Sequence, residues 1–244
     1  MATENKFPSE IIDLPSKGLL YPKDSPLSSG KIEMKYMTAK EEDILTNQNY
    51  ITRGVVIDKL IQSLIVDKSI DYNMLLAGDK NALLVASRIL GYGEVYEFTF
   101  AGNKESVDLS KLDNKKVNED LFKSGVNEFE YDLPTTKRKI KFKLLTHGDE
   151  KLISQELTGL RKIDKDANPE LSTRLKYMIV DVDGVTDKGA IRKFVDNEFL
   201  ARDSRAFRKY YNDIQPDLDL TFYPEGLEEG VEIPIGINFL WPDA

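Results

Sequence analysis

Few side chains in this chain are of a type and spacing that could do covalent chemistry. There is no cysteine and one histidine, His147. Thiolate nucleophiles, disulfides and Cys-ligated zinc or iron–sulfur centres are therefore excluded. His147 sits in Thr146-His147-Gly148-Asp149, at an expected strand-to-helix junction of the kind that often carries an active site. No second histidine and no G-x-S-x-G accompanies it, so a nucleophile and its base would have to be assembled from residues the sequence does not bring together. Thr146 or Asp149 as a helix cap explains the segment better. Lys17-Gly18 lacks the glycines and the following helix of a phosphate loop, and no dinucleotide fingerprint or spaced histidine cluster occurs. Glu41, Glu42 and Asp43 are adjacent on a helix, point to different sides and cannot readily converge on an ion. Asp217 and Asp219 share an expected strand face, but two carboxylates make a weak calcium site. The expectation is a chain with no catalytic residue, no metal and no cofactor.

The elements that would hold these groups follow from periodicity. Residues 1–36 contain Pro8, Pro15, Pro22 and Pro26 with Gly18 and Gly30, and read as an extended arm. Within it, LPSKGLLYP (14–22) places Leu19, Leu20 and Tyr21 after a Ser-Lys-Gly turn, as anchors on a neighbour or on the chain's own domain. Residues 30–36 alternate as a short strand. Thr38 and Glu41 fit a capping box that starts a helix, with Glu41, Glu42 and Asp43 in its first turn. After a polar break at 46–49, Val56, Leu60, Ile61, Leu64 and Ile65 make one apolar stripe. Asp79 is the expected N-cap of a helix over 81–90, with Gly91 as its stop.

Residues 95–100 read as a strand, and 129–133 with 140–144 as a hairpin about Pro134-Thr135-Thr136-Lys137. Residues 103–127 read as loops and short elements at the sheet edge. Residues 149–163 are helical, and 170–182 fit either helix or strand, read here as a helix ending in a short strand. Asp187 and Asp203 are expected caps of two further helices. Residues 217–222 and 231–239 flank Pro224-Glu225-Gly226 as a closing hairpin. The fold class is α+β. An N-terminal extended arm (1–36) precedes a helical layer (37–93), a small antiparallel sheet (94–145) and C-terminal helices closed by a β-hairpin (146–244), with 37–244 as one compact unit.

A 244-residue chain, 41% hydrophobic, is long enough for one sizeable core. Its apolar runs are too short to span a bilayer, and the polar start MATENKFPSE lacks a secretory apolar segment. A net charge of −8 argues against nucleic acid as a partner. The densest basic run, Lys137-Arg138-Lys139 with Lys141 and Lys143, reads as a solvated strand face. Arg202, Arg205 and Arg208 cluster on one helical face, where guanidinium groups suit carboxylates. Trp241, the only tryptophan, ends the last strand as packing or as an interface anchor.

Four patterns in order, LPSKGLLYP, MKYMTAKEEDILTNQNYI with RGVVIDKLIQSLI, LARDSRAFRKY with PDLDL, and the terminal GINFLWPDA, resemble the baseplate hub proteins of T4-type contractile-tailed phages. The resemblance spans residues 14–244, with nothing contributed by 103–127. It implies a non-enzymatic viral protein that helps form or assemble the central hub of the tail. Its partners would be other baseplate hub or tail proteins, with self-association open and no membrane-spanning segment. It would be made in the host cytoplasm, with a place in the virion's tail baseplate left open. Leu19, Tyr21, Ile44, Leu45, Arg202, Arg205 and Trp241 are the expected docking residues, on surfaces that hold the arm, the hub partners, or both. The alternatives are a transient tail-assembly chaperone absent from the mature virion, and a tail-associated hydrolase built on an acid pair at Asp149 or Glu150.

Overall fold

The computed structural model describes residues 8–166, 168–224, 229–235 and 239–241. Strand β1 (Ser9–Asp13) enters a long loop and returns as β2 (Lys31–Lys35), its antiparallel partner. Helices α1 (Ala39–Leu45), α2 (Gln48–Thr52), α3 (Val56–Leu64) and α4 (Ala77–Tyr92) follow, then the hairpin β3 (Val95–Phe100) and β4 (Asn103–Asp108). Next come β5 (Phe129–Asp132), β6 (Lys139–Phe142), α5 (His147–Ile163), α6 (Glu170–Met178) and β7 (Ile179–Val182), with β7 completing a three-stranded antiparallel sheet. Helices α7 (Lys188–Asn197) and α8 (Ala201–Ile214) lead to the short pair β8 (Thr221–Phe222) and β9 (Val231–Glu232). The fold is α+β, as expected. Residues 225 and 226 of the last expected turn, and 236–238 of the GINFLWPDA pattern, lie outside the described residues.

Residues 8–36 do not stand apart as an arm. Leu14, Leu20, Tyr21, Leu27, Ile32 and Met34 belong to the same core cluster as Leu240 at the other end of the chain. One sequence reading fails for a local reason and a second, of short elements at the sheet edge over 103–127, gains a strand. The polar break holds α2, because the Asn47 side chain accepts from the Asn49 and Tyr50 amides and caps it. Residues 103–108 are a strand despite their polarity, because β4 is an exposed partner of β3 and needs no apolar face.

Four carboxylates are buried among the described residues: Glu41, Asp79, Asp149 and Asp203. All four occupy the third position of a helix, in α1, α4, α5 and α8. Unpaired amides and the helix dipole favour an anion there, but a buried one still needs donors. Glu41 takes the Thr38 amide (3.1 Å), Lys35 (2.7 Å) and Ser63 (2.7 Å). Burial works against its charge, yet these bonds hold its pKa down at about 2. Asp149 repeats the pattern with the Thr146 amide (3.1 Å) and Lys143 (2.7 Å).

Asp79 and Asp203 are not the N-caps of their own helices. Each reaches across to close a distant loop. Asp79 takes the Ser16 amide (2.9 Å), the Ser16 hydroxyl (2.6 Å) and the Tyr21 hydroxyl (2.5 Å), and Tyr21 in turn accepts from the Leu76 amide (3.0 Å). Asp203 takes the Thr135 amide (2.7 Å) and the Thr136 amide (3.1 Å) and hydroxyl (2.8 Å). Helix α4 therefore starts before Asp79, and it runs through Gly91 to end at Gly93.

The matching roles expose an internal repeat. Asp13-Leu14-Pro15 and Asp132-Leu133-Pro134 end the first strand of each hairpin, with Asp13 opposite Lys31 and Asp132 opposite Lys139. The Leu14 amide bonds Gly30 (2.8 Å) and the Leu133 amide bonds Arg138 (2.9 Å), each across its loop. Gly18 and Lys137 take the same left-handed turn position. Lys35, Thr38 and Glu41 recur as Lys143, Thr146 and Asp149. Leu64-Ile65-Val66-Asp67 recurs as Met178-Ile179-Val180-Asp181, with Ile65 bridged to Met34 as Ile179 is to Phe142. Leu76-Ala77-Gly78-Asp79 recurs as Leu200-Ala201-Arg202-Asp203, and Tyr96-Glu97-Phe98-Thr99-Phe100 as Leu218-Asp219-Leu220-Thr221-Phe222.

Removing the Asp79 carboxylate strands buried donors from two segments. Asp79→Ala is expected to cost about 3 kcal/mol in denaturant unfolding, against under about 0.5 kcal/mol for exposed Asp213→Ala. Gly78→Ala is expected to cost about 2 kcal/mol, because a Cβ there would lie 1.9 Å from the Pro216 carbonyl oxygen. Equal midpoints for either variant and the parent chain would contradict this account. The depressed Glu41 pKa gives stability that is present above 4.5 and lost as pH falls toward about 2. Acid unfolding of Glu41→Gln should accordingly be flatter over that window.

Candidate functional site

Helix α5 begins where the two repeats meet. The Thr146 capping box fixes its first turn, and the His147 amide donates to the Leu75 carbonyl (2.7 Å) at the head of α4. This places the His147 ring among Asp58 of α3, Tyr72 and Lys80 of α4. The ring lies 3.5 Å from Asp58 through Nε2, 3.3 Å from the Lys80 ammonium through Nδ1, and edge-on to Tyr72 at 4.7 Å. Asp58 is also held by Lys80 (2.6 Å) and by the Tyr72 hydroxyl (3.0 Å). Burial first, and then the Lys80 charge, lower the His147 pKa, against the opposing pull of Asp58. A neutral ring accepting at Nδ1 and carrying its proton at Nε2 fits all three neighbours. Each polar group of the cluster already has a partner, so the arrangement suits a pinned joint between repeats better than a base awaiting a substrate.

The acid pair needed for a hydrolase is not assembled. Asp149 is occupied by Lys143 and Thr146, and Glu150 is gripped through both oxygens by Arg174 (2.6 and 2.8 Å). Glu150 and Arg174 line a cleft of about 370 Å³ with Leu145, Met178, Arg208 and Tyr211. Tyr211 accepts from the Leu145 amide (2.9 Å), and burial pushes its hydroxyl pKa up, away from any role as a base near neutrality. Asp217 accepts from Asn81 (3.0 and 3.2 Å) and Asp219 from the Thr221 amide (3.1 Å), on backbone that pairs with residues 113–115 through an isolated bridge at Leu218 and, among the described residues, not with the 231–239 segment. Among the described residues no acidic or histidine cluster of metal-binding size is present.

The expected docking residues divide in two. Tyr21 and Leu45 are 2% and 1% exposed, so they are core side chains and not docking ones. Tyr21 is spent on Asp79, and Leu45 faces inward from α1. Leu19 and Ile44 are half-buried, and Trp241 is half-buried with its indole N–H on the Leu45 carbonyl (3.2 Å). Arg202 and Arg205 are exposed, and no carboxylate pairs with either among the described residues. The basic run at 137–143 is not simply solvated. Arg138 bridges Asp183 (2.6 Å) and Glu198 (2.7 Å) over the Phe194 ring, and Lys143 belongs to Asp149. Sequence reasoning missed Asp79 and Asp203 as loop clamps. The signal was the recurrence of Leu-Pro-Ser/Thr and Leu-Ala-x-Asp, which only a search for internal repeats would raise.

Comparison with protein-family models, curated proteins and solved structures finds no match for the chain. Among the described residues no helix is long and apolar enough to cross a membrane.

The depressed His147 pKa carries a sign. The unfolded chain binds the proton more readily, so stability is full above the ordinary value of 6.5 and declines as pH falls below it. Thermal melts across this range should show a steeper loss for the parent than for His147→Gln. Parallel curves would remove His147 from the account.

Proposed function

We propose that this chain is a non-enzymatic tail protein of a contractile-tailed phage, acting by protein docking in the assembly or structure of the baseplate central hub. The observation that carries the proposal is the placement of the four hub-like patterns. Ser16, Tyr21, Glu41, Asp203, Phe207 and Leu240, all within those patterns, are buried. Buried motif residues of this kind specify an architecture and not a chemistry, which is how a family of docking proteins would resemble one another. The polar clusters with catalytic residue types, around His147 and around Glu150, are paired internally, which supports the same reading. Docking affinity would come from a few exposed anchors.

The test is made in infected cells with an affinity-tagged full chain. Copurification with other tail subunits, followed by mass spectrometry of purified particles and of assembly intermediates, is expected to recover the chain in one or both. Recovery in neither, or turnover of a cell-wall substrate by the purified chain, would overturn the proposal. Deletion of residues 1–36 is a poor probe, since it removes part of the core and is expected to leave no soluble chain.

A further inference from the structure

The two repeats are joined asymmetrically. On the first, the start of α4 is covered by the second: Leu76 is bridged to Thr146, Gly78 lies under Pro216, and Asn81 donates to Asp217. The equivalent start of α8, at Leu200, Arg202 and Arg205, has no such cover among the described residues. Leu200 is 47% exposed where Leu76 is 4%. The complementary surface is also duplicated and also bare. Thr146 and His147 correspond to Thr38 and Ala39, and Pro216 and Asp217 correspond to Glu94 and Val95. Thr38, Ala39, Glu94 and Val95 are all exposed, Val95 at 57%.

A joint in which patch one of the first unit meets patch two of the second leaves one of each unused. It is a heterologous contact, and the unused patches fit each other on separate copies. We propose that copies of this chain associate head to tail, with Leu200, Arg202 and Arg205 at the start of α8 of one copy docking on the surface around Tyr36, Glu94 and Val95 of the next.

Charge supports the assignment of a second copy as the occupant. The α8 patch presents two guanidinium groups without carboxylate partners among the described residues. The receiving surface carries carboxylates: the Tyr36 hydroxyl donates to Glu10 (3.0 Å), and Glu94 is exposed beside Val95. A Cβ on Gly91 would lie 2.7 Å from the Met37 side chain, so the segments that carry Tyr36 and Glu94 adjoin. Arg88 holds the turn that presents Glu94, donating to the Gly93 carbonyl (3.1 Å) and the Val95 carbonyl (3.3 Å). Arg202 stands where Gly78 allows close backbone approach, so the contact between copies cannot copy the internal one atom for atom. Guanidinium–carboxylate pairs across a slightly wider gap replace it, with Leu200 and Val95 as the apolar part.

The proposal rests on geometry and is tested on the purified full chain, so it can fail while hub docking stands, and the reverse. Sedimentation velocity at rising concentration is expected to show association that weakens with salt. Arg202→Glu with Arg205→Glu, and separately Glu94→Arg, should each weaken association at least about tenfold. All three sites are exposed, and unchanged circular dichroism and melting would confirm folding. An equal mixture of the two variants should associate again, because each member keeps one intact patch and the two reversed patches carry opposite charges. A chain that stays monomeric at every concentration, variants that associate like the parent, or a two-fold dimer that neither variant disturbs would each overturn the proposal.

Discussion

The constraint on which this structure depends is the burial of four carboxylates at the third position of four helices. An anion is welcome at a helix start, but out of water it must be given donors or be neutralised. Glu41 and Asp149 meet the demand locally, with a threonine amide three residues back and a lysine at the end of the preceding strand. Asp79 and Asp203 meet it at long range, by closing the loops that carry Ser16 and Thr135. The second solution ties segments far apart in sequence, and it makes the two hairpins inseparable from the two longest-range helices.

The repeat explains why these features come in pairs. One unit, a hairpin feeding a capped helix and returning to a helix that clamps the hairpin loop, occurs twice with the same strand register. The copies have since diverged. The first loop carries residues 19–29 as an insertion whose Tyr21 supplies a donor that Thr136 supplies in the second. Gly78 permits backbone contact where Arg202 forbids it. His147 pins the joint between units where its counterpart is Ala39. The last two differences fall where the units touch each other, because there the two copies face different surroundings.

A chain built this way spends its ionisable groups on architecture. Asp58, Lys80 and His147 satisfy one another, as do Glu150 and Arg174, or Arg138 with Asp183 and Glu198. Catalysis needs groups held in readiness with unmet valences and a shifted pKa suited to proton transfer. Among the described residues the outside presents guanidinium groups without carboxylate partners and apolar side chains at the start of α8, and carboxylates near Tyr36. That distribution favours recognition between proteins.

The sequence by itself determined the class of fold, the start of α1 at Thr38, the apolar stripe of α3, the hairpin at 129–144 and the absence of thiol chemistry. These are set by local periodicity, capping and composition, which a linear reading captures. Only the tertiary structure decided that residues 8–36 belong to the core, that Tyr21 and Leu45 face inward, and that Asp79 and Asp203 cap remote loops and not their own helices. An aspartate near a helix start reads the same whether its donors lie three residues or sixty away. The choice is made by which buried amides lack partners, and that is known only once the chain has closed on itself.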